Sequence, residues 1–361
     1  MSEVKKTGTT GTIPFSEDHF SYDRNSNLTL ATWRRGTEIN DNQDRLIKKV
    51  LTCRLLSKEK KMKKTFLLLL LSMTASGLWG QSLSEKPLVT FGVVADAQYD
   101  RDTTVGVHGR RYHLAIERLS EAISVFNNRE NIAFTVSLGD IIDRNHLCFP
   151  DLQPVLAKSK VKIHYVYGNH DYTHSYDPKG QKAFFKMVGQ DDSYYSFVEG
   201  GVRFIVMNDN EIALFSSKEG SAKWEKAKAL YDEAVANKAK YAKKYNGSVS
   251  GKQLKWLDRQ LRKAERKKQK AIIMGHQPLA PENQSCLLLN YHEVLDVIER
   301  HGDTVLAYLA GHEHKGGSAV IDPTAFITFK GMCEGKNNRF AIVSVYPDHI
   351  KIEGFGDQQS Y

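Results

Sequence analysis

The sequence predicts an α/β fold, in which two mixed β-sheets pack face to face and helices cover their outer faces as a four-layer αββα sandwich. Two observations support this prediction. From Pro87 onward, short apolar β-rich runs alternate with stretches whose apolar residues recur at helical spacing. Towards the C-terminus this alternation gives way to hairpin-like strands. With 41% hydrophobic residues, the chain has ample apolar side chains for a core.

The strands are expected at 88–95, 132–138, 161–167, 194–198, 202–207, 271–274, 304–309, 318–321, 325–329, 340–346 and 349–353. Helical periodicity predicts a helix over 110–126 and another over 290–300. Ser250 and Gln253 form a capping box that starts a further helix. The Ala/Lys-rich stretch 221–244 is expected to be an exposed helical insert whose charges face solvent.

The net charge of +9 is concentrated in the N-terminal region, because residues 1–80 hold 14 basic and 8 acidic residues. The rest of the chain is nearly balanced, which argues against a nucleic-acid partner. The stretch from Met62 resembles a secretory signal, with Lys63 and Lys64, an apolar run at 66–71 and small residues near 75–80.

This pattern suggests that residues 1–61 are an over-extended, disordered start, 62–80 a signal peptide and 81–361 a single domain. The alternative is an unusual N-terminal tail with a membrane anchor. The favoured interpretation predicts an exported protein, periplasmic or secreted, with no stable membrane anchor after signal cleavage. Cys148, Cys286 and Cys333 are too widely spaced for a zinc cluster, and one disulfide with a spare thiol is possible.

Five predicted strands end in a small set of metal-ligating residue types. The segments are Asp96-Ala97-Gln98, Gly139-Asp140-Ile141-Ile142-Asp143, Gly168-Asn169-His170-Asp171, Gly275-His276 and Gly311-His312-Glu313-His314. Residues beyond the carboxyl ends of adjacent strands converge on one crevice. Asp, Asn and His bind divalent ions such as manganese, iron and zinc, and the glycines let the backbone turn sharply.

Each motif also has an ordinary structural explanation as a turn, a helix cap or a core histidine. Gly-His-Glu-His is more specific, because two imidazoles at i and i+2 leaving a strand are rarely structural. The five motifs together favour a metal site. Two ions could lower the pKa of a bridging water and offset charge on a phosphoryl group. One carboxylate would then bridge the ions while neutral ligands keep the site cationic.

In order and spacing, the motifs ADAQ, LGDIID, YGNHD, MGHQP and AGHEH resemble those of the calcineurin-like metallophosphoesterase superfamily. Gln98 stands where that superfamily usually has His. This departure resembles the branch of manganese-dependent ADP-ribose/CDP-alcohol diphosphatases, as do the stretches GRRYHLAIERL, YNGSVSGKQLKWLDRQL and SCLLLNYHEVLDVIERH. The resemblance runs from Pro87 to the C-terminus and implies a metallophosphoesterase fold.

The resemblance also implies roles for individual residues. One ion would be held by Asp96, Gln98 and His314, with Asp140 bridging to a second. The second ion would be held by Asn169, His276 and His312. His170 would act beside the scissile phosphate as a donor or general acid, oriented by Asp143.

The expected cofactors are two divalent ions, with Mn²⁺ favoured over Mg²⁺, Fe or Zn²⁺. An amide oxygen from Gln98 is a harder ligand than an imidazole nitrogen, which favours manganese over zinc. Arg110 and Arg111 are candidates to contact a second phosphate, since guanidinium groups suit phosphate geometry. A solvent-facing helix start is the alternative for both. Asn145, Cys286 and Asn290 lie in stretches that resemble the substrate-side loops of the family.

These implications predict an exported hydrolase that cleaves the pyrophosphate bond of small-molecule nucleoside diphosphate conjugates, such as ADP-ribose or CDP-alcohols, with metal-bound hydroxide as the nucleophile. A general phosphodiesterase or phosphomonoesterase of the same superfamily is the first alternative. A non-catalytic nucleotide-binding protein is the second.

Overall fold

The computed structural model describes residues 86–172, 176–190, 192–281, 284–321 and 323–361. The predicted N-terminal region and signal peptide lie outside these residues. The first sheet has five strands in the order β11-β10-β1-β2-β3. β1 to β3 are parallel, whereas β10 and β11 run antiparallel to their neighbours. Their bounds are β1 Val89–Val94, β2 Ile132–Ser137, β3 Ile163–Tyr165, β10 Arg339–Val345 and β11 Ile350–Gly356.

The second sheet has six strands in the order β4-β5-β6-β7-β9-β8. The central strands β5, β6, β7 and β9 are parallel, and antiparallel strands form both edges. Their bounds are β4 Tyr195–Glu199, β5 Val202–Val206, β6 Ala271–Met274, β7 Val305–Ala310, β8 Gly317–Ile321 and β9 Thr324–Thr328. Both sheets are therefore mixed, as predicted.

Helices cover the outer face of each sheet. Those over the first sheet are α1 Ala115–Asn128, α2 Phe149–Leu156 and α3 Pro178–Met187. The helix α4 spans Ala222–Ala236 and buries only Ala227 and Ala234. Those over the second sheet are α5 Gly251–Arg266 and α6 Tyr291–Glu299. As predicted, Ser250 caps α5, where its Oγ accepts a hydrogen bond from Gln253 N at 3.1 Å. The other half of the predicted capping box is absent, because Ser250 N donates to Glu211 and the Gln253 side chain donates to Asn208 O and Glu211.

The space between the sheets is filled by apolar side chains from both of them. Phe91 stacks on Phe134 with ring centroids 4.8 Å apart, and Phe204 from the second sheet meets both rings edge-on. Burying each such ring contributes roughly 1.5–3 kcal/mol. The predicted four-layer αββα sandwich is confirmed.

The prediction did not include α2 and α3, and the structure differs from it in two further details of the helices. The first helix begins at Ala115 rather than at residue 110, because the preceding residues form short 3₁₀ turns and Arg111 N donates to Cys333 O at 2.8 Å. The helical insert ends at Ala236 rather than at residue 244, and two residues further on Lys238 takes a left-handed conformation with φ of 54°. Among the residues that the structure describes, no helix is long and apolar enough to cross a membrane.

Candidate metal centre

The five polar motifs meet at the carboxyl ends of the parallel strands of both sheets. Asp96, Asp140 and Asn169 follow β1, β2 and β3 of the first sheet. His276 follows β6, and His312 and His314 follow β7 of the second sheet. The face-to-face packing of the sheets thus brings side chains that lie more than 200 positions apart in the sequence into one centre.

The first cluster consists of Asp96, Gln98, Asp140 and His314. One ligand atom each from Asp96, Asp140 and His314 lies within 4.8 Å of the others. His314 Nε2 is 3.2 Å from Asp96 Oδ1, and Gln98 Nε2 donates to Asp140 Oδ2 at 2.9 Å. The amide oxygen of Gln98 instead accepts from the Cys333 thiol at 3.4 Å. Ligation through that oxygen, as predicted, requires the amide to rotate by half a turn.

The second cluster consists of Asp140, Asn169, His276 and His312. The ligand atoms of Asp140, His276 and His312 again lie within 4.8 Å of one another. His276 Nε2 lies 3.1 Å from Asn169 Oδ1 and 3.1 Å from His312 Nδ1. Asp140 belongs to both clusters, which is the arrangement that a bridging carboxylate requires.

Each imidazole of the two clusters has one nitrogen directed to the centre and the other held by a protein oxygen. The outer partners are Leu138 O for His276 at 2.8 Å, Asn246 Oδ1 for His312 at 2.9 Å and Glu334 Oε1 for His314 at 2.7 Å. Metal-ligating histidines characteristically donate their second N–H in this way. Two buried carboxylates, three oriented imidazoles and two amides therefore fit a pair of divalent ions.

The two clusters also shift the protonation of their own members. Burial alone would raise the pKa of Asp140, but the imidazoles of His276 and His170 outweigh it and hold that pKa well below its usual value. Burial and the neighbouring His276 hold the pKa of His312 well below its ordinary range. An ionised Asp140 and a neutral His312 are the forms that bind a metal ion. Burial alone would lower the pKa of the other two imidazoles, but Asp140 raises that of His276 to about 10 and Asp96 raises that of His314 well above its usual value, so both must release a proton when an ion binds.

His170 lies at the edge of the centre, where 15% of its side chain is exposed. Its backbone N donates to Asp140 Oδ1 at 2.7 Å, which ties its position to the carboxylate common to both clusters. Its ring Nδ1 is hydrogen-bonded to the carboxylate of Asp143. The predicted pair of a histidine and an orienting aspartate is thus in contact.

Two buried aspartates that sequence reasoning did not assign support the loops of the centre. The carboxylate of Asp171 accepts from the backbone N of Asp140, Ile141 and Gly168 at 2.8 to 2.9 Å. Burial and the nearby Asp140 raise the pKa of Asp171 to about 7. Asp209 accepts from the backbone N of His276 and Gln277 at 2.6 Å, and burial raises its pKa to about 6.

Asp171 is the last residue of the Gly-Asn-His-Asp motif, so the motif itself could have identified it as a residue of the centre. Asp209 follows β5 without any motif, and Asn246 and Glu334 also lie outside the five motifs. Their positions next to the centre come from contacts with distant strands, which a single sequence does not reveal.

The glycines of the motifs serve two different purposes. Gly139 has a φ of 96°, in agreement with the predicted sharp turn. Gly168 has an ordinary φ of −93°, but a Cβ there would lie 2.1 Å from Asp140 Oδ1. At Gly168 the need is therefore for close approach to the shared carboxylate.

Three of the predicted substrate residues have different surroundings. Arg110 Nε donates to Glu334 Oε1 at 3.3 Å, next to His314. The side chain of Arg111 is exposed. Asn145 is also exposed, and its Oδ1 caps a 3₁₀ turn by accepting from Leu147 N at 3.1 Å. A role in substrate binding stays a prediction for all three.

Cys286 and Asn290 lie on the side of the second cluster. Burial raises the pKa of the Cys286 thiol to about 12, and this thiol interacts with Tyr245 and Glu313. The ring of Tyr245 is 5.5 Å from that of His312, so this region borders the centre. Asn290 is buried and exchanges hydrogen bonds with both backbone groups of Val249, which fixes the segment before α5.

The cysteines of the described residues are all free thiols. Cys148, Cys286 and Cys333 are each buried without a disulfide. Cys333 contacts the first cluster, since its Sγ lies 3.6 Å from His314 Nδ1.

Comparison with known proteins finds relatives that are similar over the region that contains the five motifs. A sequence model of the family described as calcineurin-like phosphoesterase matches residues 89–316. The manganese-dependent ADP-ribose/CDP-alcohol diphosphatase of Oryza sativa subsp. japonica is 30% identical over 302 residues, which cover 75% of this chain and 92% of that protein. The protein of the same name from Danio rerio is 27% identical over 314 residues, which cover 75% and 97%.

A solved structure is similar over the same region. The crystal structure of a dimetal phosphatase from Danio rerio has a TM-score of 0.65 and 26% identity, and covers 76% of this chain and 99% of that one. The match to the family model begins at the first residue of β1 and includes all five motifs.

Proposed function

Because this chain belongs to the calcineurin-like phosphoesterase family, we propose that it hydrolyses the pyrophosphate bond of nucleoside diphosphate conjugates, with ADP-ribose and CDP-alcohols as substrates. The family match confirms the prediction of a metallophosphoesterase. The names of the relatives given above, which state a dependence on manganese, support the choice of substrate and of Mn²⁺.

The observation that carries the proposal is the position of Asp140 in both buried clusters. When bound, two divalent ions would activate a water molecule and offset the charge of the phosphates. The chain itself supplies the shared carboxylate of Asp140 and the carboxylate of Asp96, and imidazole and amide groups make up the rest of the two clusters. This limits the negative charge that would otherwise repel a diphosphate.

His170 is proposed to act on the leaving oxygen. Asp143 engages Nδ1 of His170, so Nε2 is the ring nitrogen directed to substrate in this proposal. A protonated Nε2 would donate its hydrogen to the phosphate oxygen that gains charge as the P–O bond breaks. The hydrogen bond from the backbone N of His170 to Asp140 Oδ1 holds this donor in a fixed position relative to the two clusters.

The substrate is proposed to extend on both sides of the two clusters. Arg110, beside the first cluster, would contact a phosphate through its guanidinium. Tyr245, exposed by 37% beside His312, offers an aromatic face for a nucleobase. Cys286 lines the same region in this proposal.

The test is a substrate panel with the purified protein and Mn²⁺. We expect AMP and ribose 5-phosphate from ADP-ribose, and CMP and a phosphoalcohol from a CDP-alcohol. Release of inorganic phosphate from simple monoesters, with both conjugates untouched, would reject the proposal in favour of a phosphomonoesterase.

The substitution His170→Ala separates an enzyme from a non-catalytic binding protein. Loss of a general acid typically lowers turnover by roughly 10²- to 10⁴-fold. We expect such a loss of turnover with an unchanged manganese content, measured by atomic absorption. Unchanged turnover would remove His170 from the mechanism.

We also propose that the protein is exported, on the basis of Lys63, Lys64 and the apolar run at 66–71. Expression of the chain from Met62 in a bacterial host, followed by N-terminal sequencing of the exported fraction, is expected to give a protein that begins near residue 81. Retention of the unprocessed chain inside the cell would contradict this proposal.

A further inference from the structure

Glu334 lies in a short segment that runs beside the loop of the first cluster. In this segment, Met332 N donates to Ala95 O and Cys333 N donates to Asp96 O, both at 2.9 Å. The buried Arg118 holds the segment from its other side, where its guanidinium donates to Gly335 O at 2.8 Å. The backbone on both sides of Glu334 is therefore fixed relative to the first cluster.

One carboxylate oxygen of Glu334 joins a predicted metal ligand to a predicted substrate residue. Glu334 Oε1 is 2.7 Å from His314 Nδ1, and it accepts from Arg110 Nε at 3.3 Å. The three side chains are exposed by only 16%, 6% and 21% respectively. Their contacts are thus largely shielded from water, where charge-assisted hydrogen bonds are strongest.

The bond to Glu334 decides which nitrogen of His314 carries the proton. A carboxylate can only accept, so a neutral His314 must keep its hydrogen on Nδ1. Nε2, which lies 3.2 Å from Asp96 Oδ1, is then the nitrogen with a free lone pair. Without Glu334 the hydrogen could move to Nε2, where it would bond to Asp96 and block ligation.

The three imidazoles of the two clusters differ in the kind of group that accepts the hydrogen bond from their outer nitrogen. His276 is oriented by a backbone carbonyl and His312 by the amide of Asn246, whereas His314 is oriented by a carboxylate. A carboxylate also increases the basicity of the imidazole that it holds. The first cluster therefore depends on one side-chain charge outside its own ligands.

We propose that Glu334 is a positioning residue, which holds His314 in the tautomer that binds an ion at the first cluster and links that ligand to Arg110. The proposal rests on the two-ion site of the proposed function. Because the same oxygen holds both groups, occupation of the first cluster and binding of substrate at Arg110 are energetically coupled, and the coupling is reciprocal.

The test is a titration of metal-free protein with Mn²⁺, followed by the electron paramagnetic resonance signal of the free ion. For Glu334→Ala, which removes the acceptor altogether, we expect the dissociation constant of one of two sites to rise by roughly 10- to 100-fold, the range for an outer partner of a metal ligand. The other site should be unchanged. At saturating Mn²⁺, kcat should recover while the KM for ADP-ribose stays raised, because Arg110 has lost its charged partner.

Two further variants separate this role from a general loss of structure. Glu353→Gln removes an exposed carboxylate that pairs with Arg129 at 2.6 Å, and it should leave both dissociation constants unchanged. Asn246→Ala removes the outer partner of His312, so it should weaken the site that Glu334→Ala spares. The melting temperature of each metal-free variant verifies folding.

Wild-type affinity at both sites in Glu334→Ala would overturn the proposal, and so would equal weakening of both sites with a lower melting temperature. A wild-type chain that binds no Mn²⁺ would overturn it together with the proposed function. If the wild-type chain binds two ions but cleaves neither conjugate, the proposed function fails, and the titrations still decide the role of Glu334.

Discussion

The substitution Gly168→Ala tests whether the position of Asp140 governs the whole centre. The added Cβ would lie 2.1 Å from Asp140 Oδ1 and 2.4 Å from Asp140 N, whereas real Cβ contacts are essentially never shorter than 3.0 Å. The carboxylate must therefore withdraw by roughly 1 Å, and a misplacement of that size can cost about 10²-fold in rate.

The same substitution has a smaller effect on stability. Overpacking costs about 1–3 kcal/mol, and replacement of glycine returns about 0.4–1 kcal/mol through the unfolded chain. We therefore expect a net loss of about 1–2 kcal/mol in the free energy of unfolding, measured by urea denaturation. The value of kcat/KM for ADP-ribose with Mn²⁺ should fall by about 100-fold.

Gly251→Ala is the matched control. Gly251 is the first residue of α5, has no atom within 4 Å of an added Cβ and does not have a left-handed backbone. This variant should keep wild-type kcat/KM and gain up to about 1 kcal/mol in stability. If Gly168→Ala retained kcat/KM within about threefold of the wild type, the argument from Asp140 would be refuted.

Two further predictions concern the metal preference and the pH dependence of stability. In metal-stripped protein, Gln98→His should lower the ratio of manganese- to zinc-supported turnover by roughly 10-fold, because an imidazole favours zinc more than an amide does. His164 is buried against Phe197, and burial together with Lys162 lowers its pKa from 6.5 to about 4. The unfolded chain therefore takes up a proton at higher pH than the folded protein does, so stability should fall as pH decreases from 6.5 towards 4. Between pH 7 and pH 4.5 this one residue should account for about 2–3 kcal/mol of the loss in urea unfolding, and His164→Phe should lack that part.

Clear results would contradict each of these two predictions. For the metal preference, it would be an unchanged ratio of manganese- to zinc-supported turnover in Gln98→His, or better turnover of the wild-type protein with zinc than with manganese. For the pH dependence, it would be an equal change in the free energy of unfolding for the wild type and for His164→Phe over the same pH interval.

Much of the fold was predictable because strands and helices have local signals. Apolar runs marked the strands, and the Ser250 cap marked α5. The start of α1 was not predictable in this way, since residues 110–114 fit the helical pattern but Arg111 N donates to Cys333 O, more than 200 positions away. At this point a backbone hydrogen bond to a distant segment overrides the local preference for a helix.

The five motifs could be identified for a similar reason. Each one combines ligand residue types with the end of a strand, and the order of strands in an α/β sheet brings such ends together. The sequence by itself therefore determined the family resemblance and proposed Asp96, Asp140 and His314 as ligands.

Only the tertiary structure decided what holds those ligands in place. Glu334, Asn246 and Asp209 reach the centre from three separate segments outside the five motifs, although Asn246 lies in the stretch YNGSVSGKQLKWLDRQL, which resembles the family. Their roles arise from hydrogen bonds between residues far apart in the chain, whose partners are specified by packing of the two sheets rather than by local sequence. The same physical reason separates Gly168, which is needed for close approach, from Gly139, which is needed for its turn.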